Sequence, residues 1–237
     1  MSLADAFRKI LRRGKNWPPS EDAWLEHSRE YWARGYKKDS RGEVVNAPES
    51  YWLEGDVEAS YTVDLLDALT EVGGTESAIE LGCNAGRNLH HVWRAYPEAK
   101  LTGIDINEEA LAYAREHAEG ANEWELRHGD LTDPHLLDHL PDGSVDVIYS
   151  VAVLVHLPPG EHKAKLLEIC RRKARKAIIL IEPHTEGEMV WNRVDDQTMS
   201  PFCIEDYRPY LPGNLTVRQT RKGDDSYYDV LIWRPDA

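Results

Sequence analysis

From residue 77 the chain alternates between short apolar runs and stretches with helical spacing. The runs are SAIEL (77–81), KLTGID (100–105), WELRHGD (124–130), VDVIYSVAV (145–153) and KAIILIE (176–182). Between them, residues 86–95, 107–119, 133–140 and 161–174 place apolar side chains at the helical period. Strands alternating with helices predict a parallel sheet covered on both faces. The nearly unbroken apolar run 177–181 fits a strand buried on both sides. After residue 183 the pattern changes: LTVRQT and YYDVLIWRP flank the turn-like RKGDDS and predict an antiparallel hairpin. The expected fold class is α/β, a seven-stranded, mostly parallel sheet with helices on both faces and an antiparallel C-terminal hairpin.

Residues 1–60 read differently. SEDAWLEHSREYWARG opens on an N-cap-like Ser20, carries acids in its first turn and ends near Gly35, which predicts a helix. A polar, turn-rich segment follows, and VEASYTVDLLDALTEVGG then returns to helical spacing until Gly73 and Gly74. These features divide the chain into a helical cap or lid over residues 1–55 and a main domain over 56–237.

Composition narrows the classes. At 41% hydrophobic content the chain can bury a real core, and no apolar run approaches the ~20 residues of a membrane span. The N-terminal MSLADAFRKILRRGKNWPPS has no uninterrupted apolar segment, so it does not read as a signal peptide; it reads as a helix laid on the domain. Three widely separated cysteines, Cys83, Cys170 and Cys203, form no disulfide framework and imply a reducing, cytoplasmic setting. A net charge of −14 opposes phosphate backbones and argues against a nucleic-acid partner. Eight Trp and eleven Tyr against two Phe suit a pocket that needs apolar area with polar handles.

The segment AIELGCNAGRNLHHV, residues 78–92, carries the most chemistry. In an open parallel sheet, ligands bind beyond the carboxyl ends of the strands, and the first strand-to-helix turn makes the closest approach. Gly82 and Gly86 bracket that turn, with Cys83, Asn84 and Ala85 between them. The dinucleotide fingerprint needs G-x-G-x-x-G, but Asn84 holds the middle glycine position and the last glycine is missing. Glu80 before the turn would repel a pyrophosphate and attract a cation, a need that S-adenosylmethionine meets with its sulfonium and ammonium. Asp105 ends the second strand and can accept both hydroxyls of a ribose. Asp130 ends the third and can accept from an adenine amino group, with Ile106 and Leu131 flanking the ring. Each acid has a plainer reading as a structural carboxylate or N-cap, Asp105 above all since NEEA follows it.

These stretches resemble the class I S-adenosylmethionine-dependent methyltransferases, from about residue 55 to the end. ELGCNAG resembles the acidic-glycine motif of that family, GIDIN its ribose motif, GDLTD its adenine motif, and VDVIYSVAVLVHLPP its fourth strand with the segment after it. Asn84 departs from the glycine that many members carry. The resemblance implies a Rossmann-like sheet with reversed last strands and S-adenosylmethionine as cofactor. It also implies that the Gly82 turn holds the methionine moiety and that Ser150 and Val151 border the sulfonium. ELGCNAGRNL with VLVHLPP is further similar to methylases associated with nonulosonic-sugar biosynthesis, a hint toward sugar or cell-surface metabolites.

Methyl transfer from a sulfonium needs alignment of donor and acceptor, and a base only where the acceptor must lose a proton. His156, Glu182 and His184, near the ends of the fourth and fifth strands, are the candidate catalytic residues, and His156 leads because histidine as a residue type can work near neutral pH without a large pKa shift. His156 also has a plain reading as a structural turn residue. His135 and His139, four apart on an expected helix, lack a third ligand, so no metal is expected. Tyr51, Trp52, Glu54, Asp56, Trp191, Asn192 and Arg193 are expected to line the acceptor side or to pack as lids.

The reading is a methyltransferase acting on a small polar metabolite. The alternatives are a protein acceptor or a non-catalytic binding protein that retains the fold. An NAD-linked oxidoreductase fits less well, given Glu80 and the missing glycine. The sequence leaves the oligomeric state open.

Overall fold

The structure, a computed structural model, describes residues 21–34, 37–38, 44–45, 47–51, 60–157, 160–184, 192–194, 197–199, 207–222 and 226–236. Helix α1 (Glu21–Trp32) comes first, then the paired two-residue strands β1 (Lys37–Lys38) and β2 (Val44–Val45), and a 3-10 turn at Pro48–Tyr51. The main unit runs α2 (Ser60–Glu71), β3 (Ser77–Leu81), α3 (Arg87–Ala95), β4 (Lys100–Asp105), α4 (Glu108–His117), β5 (Glu125–His128), β6 (Val145–Val151), α5 (Glu161–Lys173) and β7 (Ala174–His184). A small ladder of β8 (Asn192–Val194) and β9 (Gln197–Met199) precedes the hairpin of β10 (Asn214–Lys222) and β11 (Ser226–Arg234).

The large sheet has seven strands in the order β10-β11-β7-β6-β3-β4-β5. Strands β3 to β7 are parallel, and β11 runs antiparallel to both β7 and β10. The chain builds outward from β3 to β5 and then crosses back to place β6 on the other side of β3. That reversal opens a crevice at the carboxyl ends of β3 and β6.

Side-chain alternation sorts the sheet into two cores. Ile79, Leu81, Ile148, Ile178, Leu180 and Leu231 pack on the face covered by α5, with Leu166, Leu167 and Cys170. Ala78, Val147, Tyr149, Ile179, Ile181 and Val230 pack on the face covered by α2 and α3, with Leu65, Leu69, Leu89 and Val92. Both faces are apolar because both are covered, which explains the continuous run in β7.

Among the described residues the expected elements form, with boundary shifts and three notable differences. Residues 133–140 are successive turns: Leu136 N, Asp138 N and Leu140 N each donate three residues back rather than four. Pro134 and Pro141 leave too few residues between them to offset helix nucleation. The Asp133 carboxylate also captures the His135 N–H at 2.9 Å, a local alternative to helix. Consequently His135 and His139 do not share a helix face; His135 pairs with Asp138 and His139 with Arg127. Strand β5 is shorter than WELRHGD, at Glu125–His128. Strand β6 stops at Val151 because Ala152 takes the left-handed region (φ 54) and turns the chain into a 3-10 segment, Leu154–His156.

Residues 1–20, Trp52, Glu54, Asp56, Trp191 and Cys203 lie outside the described residues, as do the side chains of Tyr51, His184, Asn192 and Arg193. No helix among the described residues is long and apolar enough to cross a membrane.

Candidate active site

The turn after β3 is held by two backbone donors, Gly82 N and Cys83 N, on the Ile104 carbonyl at 2.8 and 3.1 Å. Gly82 has φ +73, and a Cβ there would lie 2.5 Å from Cγ2 of Val153. Only glycine lets the two segments approach so closely. Asn84 also sits in the left-handed region (φ 48), which asparagine tolerates better than most residues. Its Oδ1 accepts from Ala85 N at 2.7 Å, so this residue meets locally the demand that glycine meets in the related motif. At Gly86, with φ +81, a Cβ would stand 3.0 Å from the Trp124 ring; that space lets α3 start against the ring.

Asp105 accepts the Asn84 N–H on Oδ2 at 2.7 Å and the Asn107 N–H on Oδ1 at 2.8 Å. The N-cap of α4 is Asn107, whose Oδ1 accepts from Ala110 N, so Asp105 is not the cap. The Asp105 carboxylate lines the cavity, and two oxygens on one side chain suit two adjacent hydroxyls. Asp130 is more heavily engaged. Its Oδ1 accepts from Thr132 N and Oγ1 at 2.8 and 2.7 Å, and its Oδ2 meets Arg29 Nε of α1 at 2.6 Å. Partial burial pushes its pKa up, but the Thr132 and Arg29 bonds outweigh it and hold the carboxyl below the usual aspartate range.

Glu80 corrects an expectation. It is 1% exposed and does not line the cavity. Asn88 Nδ2 donates to its Oε1 at 2.8 Å and the Tyr149 hydroxyl to its Oε2 at 3.3 Å. Burial pushes its pKa up to about 8, with Asn88, Tyr149 and Arg87 pulling the other way. Glu80 shares the strand face of Ala78, which packs under α2 and α3, and its carboxylate is bonded to Asn88 on the cavity wall.

Glu182 corrects a second. Expected as a candidate catalytic residue, it is fully buried and does not line the cavity. Its oxygens accept from Leu154 N at 3.1 Å, Val155 N at 3.3 Å and Ser150 Oγ at 3.4 Å. Burial raises its pKa to about 7, against the backbone donors and the charge of Lys163. The carboxylate therefore braces the 3-10 turn that carries His156. The His156 carbonyl receives Trp24 Nε1 at 2.8 Å and Ser28 Oγ at 3.0 Å from α1, and its ring lies 4.4 Å from that of Trp32.

These elements enclose a cavity of about 380 Å³, within the range of small-molecule sites. Of the expected residues, Gly82, Cys83, Asn84, Asp105, Ile106, Asp130, Leu131, Val151 and His156 line it. Gly86, Ser150, Glu80 and Glu182 lie behind its wall. Arg29 and Thr132 beside Asp130, Trp32 beside His156, Asn88 beside Glu80 of β3, and Tyr61, Arg87 and Tyr228 toward β11 also line it and were not anticipated. Only Arg87 and Asn88 carried a signal, standing directly after the glycine turn. The others come from distant segments.

The cavity fits S-adenosylmethionine on three counts. Gly82 leaves a cradle that a Cβ would fill, Asp105 places a carboxylate on the cavity wall, and Asn88 Oδ1 is a buried acceptor with no partner among the described residues.

Comparison with known proteins agrees. Residues 78–176 match the methyltransferase domain family. The chain is 24% identical over 186 residues to tRNA N(3)-methylcytidine methyltransferase trm140 of Schizosaccharomyces pombe, covering 75% of this chain and 56% of that protein. It is 25% identical over 156 residues to trans-aconitate 2-methyltransferase of Delftia acidovorans, covering 65% and 53%. The chain thus spans about half the length of these curated relatives. The N-terminal domain of EvdMO1, solved with SAH bound, superposes with a TM-score of 0.57 at 18% identity, covering 97% of each chain. The match to a tRNA methyltransferase leaves the charge-based exclusion of nucleic acid without support. Residues 78–176 thus match a methyltransferase domain, and the chain shares the fold of solved S-adenosylmethionine-dependent methyltransferases.

Proposed function

We propose that this chain methylates a small polar metabolite, with residues 1–55 acting as a cap over the cofactor-binding unit of residues 56–237. The observation that carries the reading is the roof. Helix α1 bonds to the His156 carbonyl and to Asp130, so an acceptor must fit beneath it rather than lie across an open face. S-adenosylmethionine supplies a methyl group on a sulfonium: an acceptor lone pair takes the methyl carbon, and the S–C bonding pair returns to sulfur, leaving the neutral thioether.

In this reading Asp105 accepts the ribose hydroxyls, and Asp130 the adenine amino group through its remaining lone pair. Ile106 and Leu131 flank the ring. Gly82, Cys83, Asn84 and Val151 border the rest of the cofactor. His156 faces the acceptor and takes its proton where one is lost, while Glu182 keeps the turn in place. His184 stays a candidate beside it.

A second reading has an RNA acceptor. Similarity to the tRNA methyltransferase over 75% of the chain favours it, and the net charge of −14 opposes it. Incubation with methyl-labelled S-adenosylmethionine and a cell extract, fractionated into metabolites, RNA and protein, decides between them. Label in the metabolite fraction, sugars and organic acids included, is the expected result; label confined to RNA or protein overturns it. With the acceptor in hand, His156→Ala should depress turnover while leaving S-adenosylhomocysteine affinity intact, and an unchanged rate removes His156 from the chemistry.

A further inference from the structure

Arg87, the first residue of α3, has no part in the reading above. Its guanidinium carbon stands 4.7 Å over the Tyr61 ring, and the side chain lines the cavity. Its Nε–H is buried with no hydrogen-bond partner among the described residues. Beside it, Asn88 is 8% exposed, and its Nδ2 is committed to Glu80, which leaves Oδ1 buried and unpartnered on the same wall. A buried donor on a permanent cation and a buried acceptor next to it are costly unless a ligand satisfies both.

The place of the pair matters. The Tyr61 ring stands 6.2 Å from that of Tyr228 in β11, and Pro183 of β7 lines the same end. Asp105 and Asp130 follow β4 and β5, four and five strands from β11. The pair stands between these ends: Asn88 bonds Glu80 of β3, and Asn84, three residues before Arg87, bonds Asp105. The chain carries a net charge of −14, yet this wall presents a guanidinium, whose planar fork matches a carboxylate bidentately.

We propose that Arg87 anchors a carboxylate on the cavity wall beside Tyr61, with Asn88 Oδ1 accepting an N–H or O–H next to it. Two molecules of methyl transfer can bring that group: the amino-acid end of the cofactor, and an acidic acceptor. The first source rests on the donor reading above; the second does not.

Calorimetric titration of wild type, Arg87→Met and Arg87→Lys separates the sources. The probes are S-adenosylhomocysteine, 5′-methylthioadenosine (which lacks the amino-acid end) and citrate as a polycarboxylate. If the cofactor is the source, Arg87→Met weakens S-adenosylhomocysteine about tenfold or more and leaves 5′-methylthioadenosine unchanged. Arg87→Lys then falls between. If the acceptor is the source, S-adenosylhomocysteine binds all three proteins equally, and citrate binds wild type but not Arg87→Met. Equal binding of every probe to all three proteins overturns the assignment. Wild type that fails to bind S-adenosylhomocysteine refutes the donor reading instead, and the citrate titration still decides Arg87. Unchanged thermal melting of Arg87→Met shows that a loss reflects the contact rather than the fold.

Discussion

Glu80→Gln should stabilise the free protein at neutral and higher pH while weakening its hold on a cationic ligand. Glutamine keeps the shape of the buried contact: its Oε1 accepts from Asn88, and its Nε2 donates to the Tyr149 hydroxyl, which accepts as readily as it donates. What disappears is the ionisation. The folded pKa of Glu80 is raised from 4.5 to about 8 by burial. Below 4.5 the group is protonated in both the folded and unfolded chain, and its full contribution to stability is present. Between 4.5 and about 8 the unfolded chain releases the proton while the folded chain keeps it, so stability falls as pH rises, levelling off above about 8. At ~1.36 kcal/mol per pH unit the whole effect is at most about 5 kcal/mol. Urea unfolding of both proteins from pH 5 to 8.5 measures it, and the difference between them cancels Glu182, which titrates in the same direction. The variant should gain several kcal/mol over wild type across that range. A pH-independent difference would refute the burial argument. Binding should move the opposite way, because an ammonium at Asn88 favours the ionised carboxylate: wild type should bind S-adenosylhomocysteine more tightly as pH rises through about 8, and Glu80→Gln should not.

Other perturbations probe the remaining parts. Asp105→Asn should weaken S-adenosylhomocysteine by ~1.5–3 kcal/mol, the worth of a hydrogen bond to a charged group; unchanged affinity in calorimetry removes Asp105 from the site. Gly82→Ala places a Cβ 2.5 Å from Val153 in a left-handed conformation and should cost ~1–3 kcal/mol in urea unfolding. Adding Val153→Ala should recover the part due to contact, and a wild-type midpoint for the single variant would contradict the geometry. Arg29→Ala removes the bond from α1 to Asp130 and should speed S-adenosylhomocysteine release in stopped flow, whereas an unchanged rate would mean that α1 does not gate the cavity.

Most of the fold was legible because apolar runs, helical spacing and their boundaries are local properties. Strands β3 and β4 match the apolar runs to the residue, since each ends where an acid or glycine begins a turn. The stretch at 133–140 was misread because helical spacing of Leu136, Leu137 and Leu140 persisted while two prolines and the Asp133 bond decided the backbone. Asp105, Asp130 and the glycine turn were legible as strand ends in order along the chain. The orientation of Glu80 was not, although parity with the buried Ala78 points the same way. Arg29, Tyr61 and Tyr228 reach the cavity from α1, α2 and β11, and no local pattern marks a residue that meets its neighbours only through tertiary packing.

The most direct test of the account is calorimetric titration of the purified protein with S-adenosylhomocysteine, with NAD in a parallel run. The account predicts micromolar, one-to-one binding of S-adenosylhomocysteine and no heat with NAD. Binding of NAD with S-adenosylhomocysteine silent would contradict it.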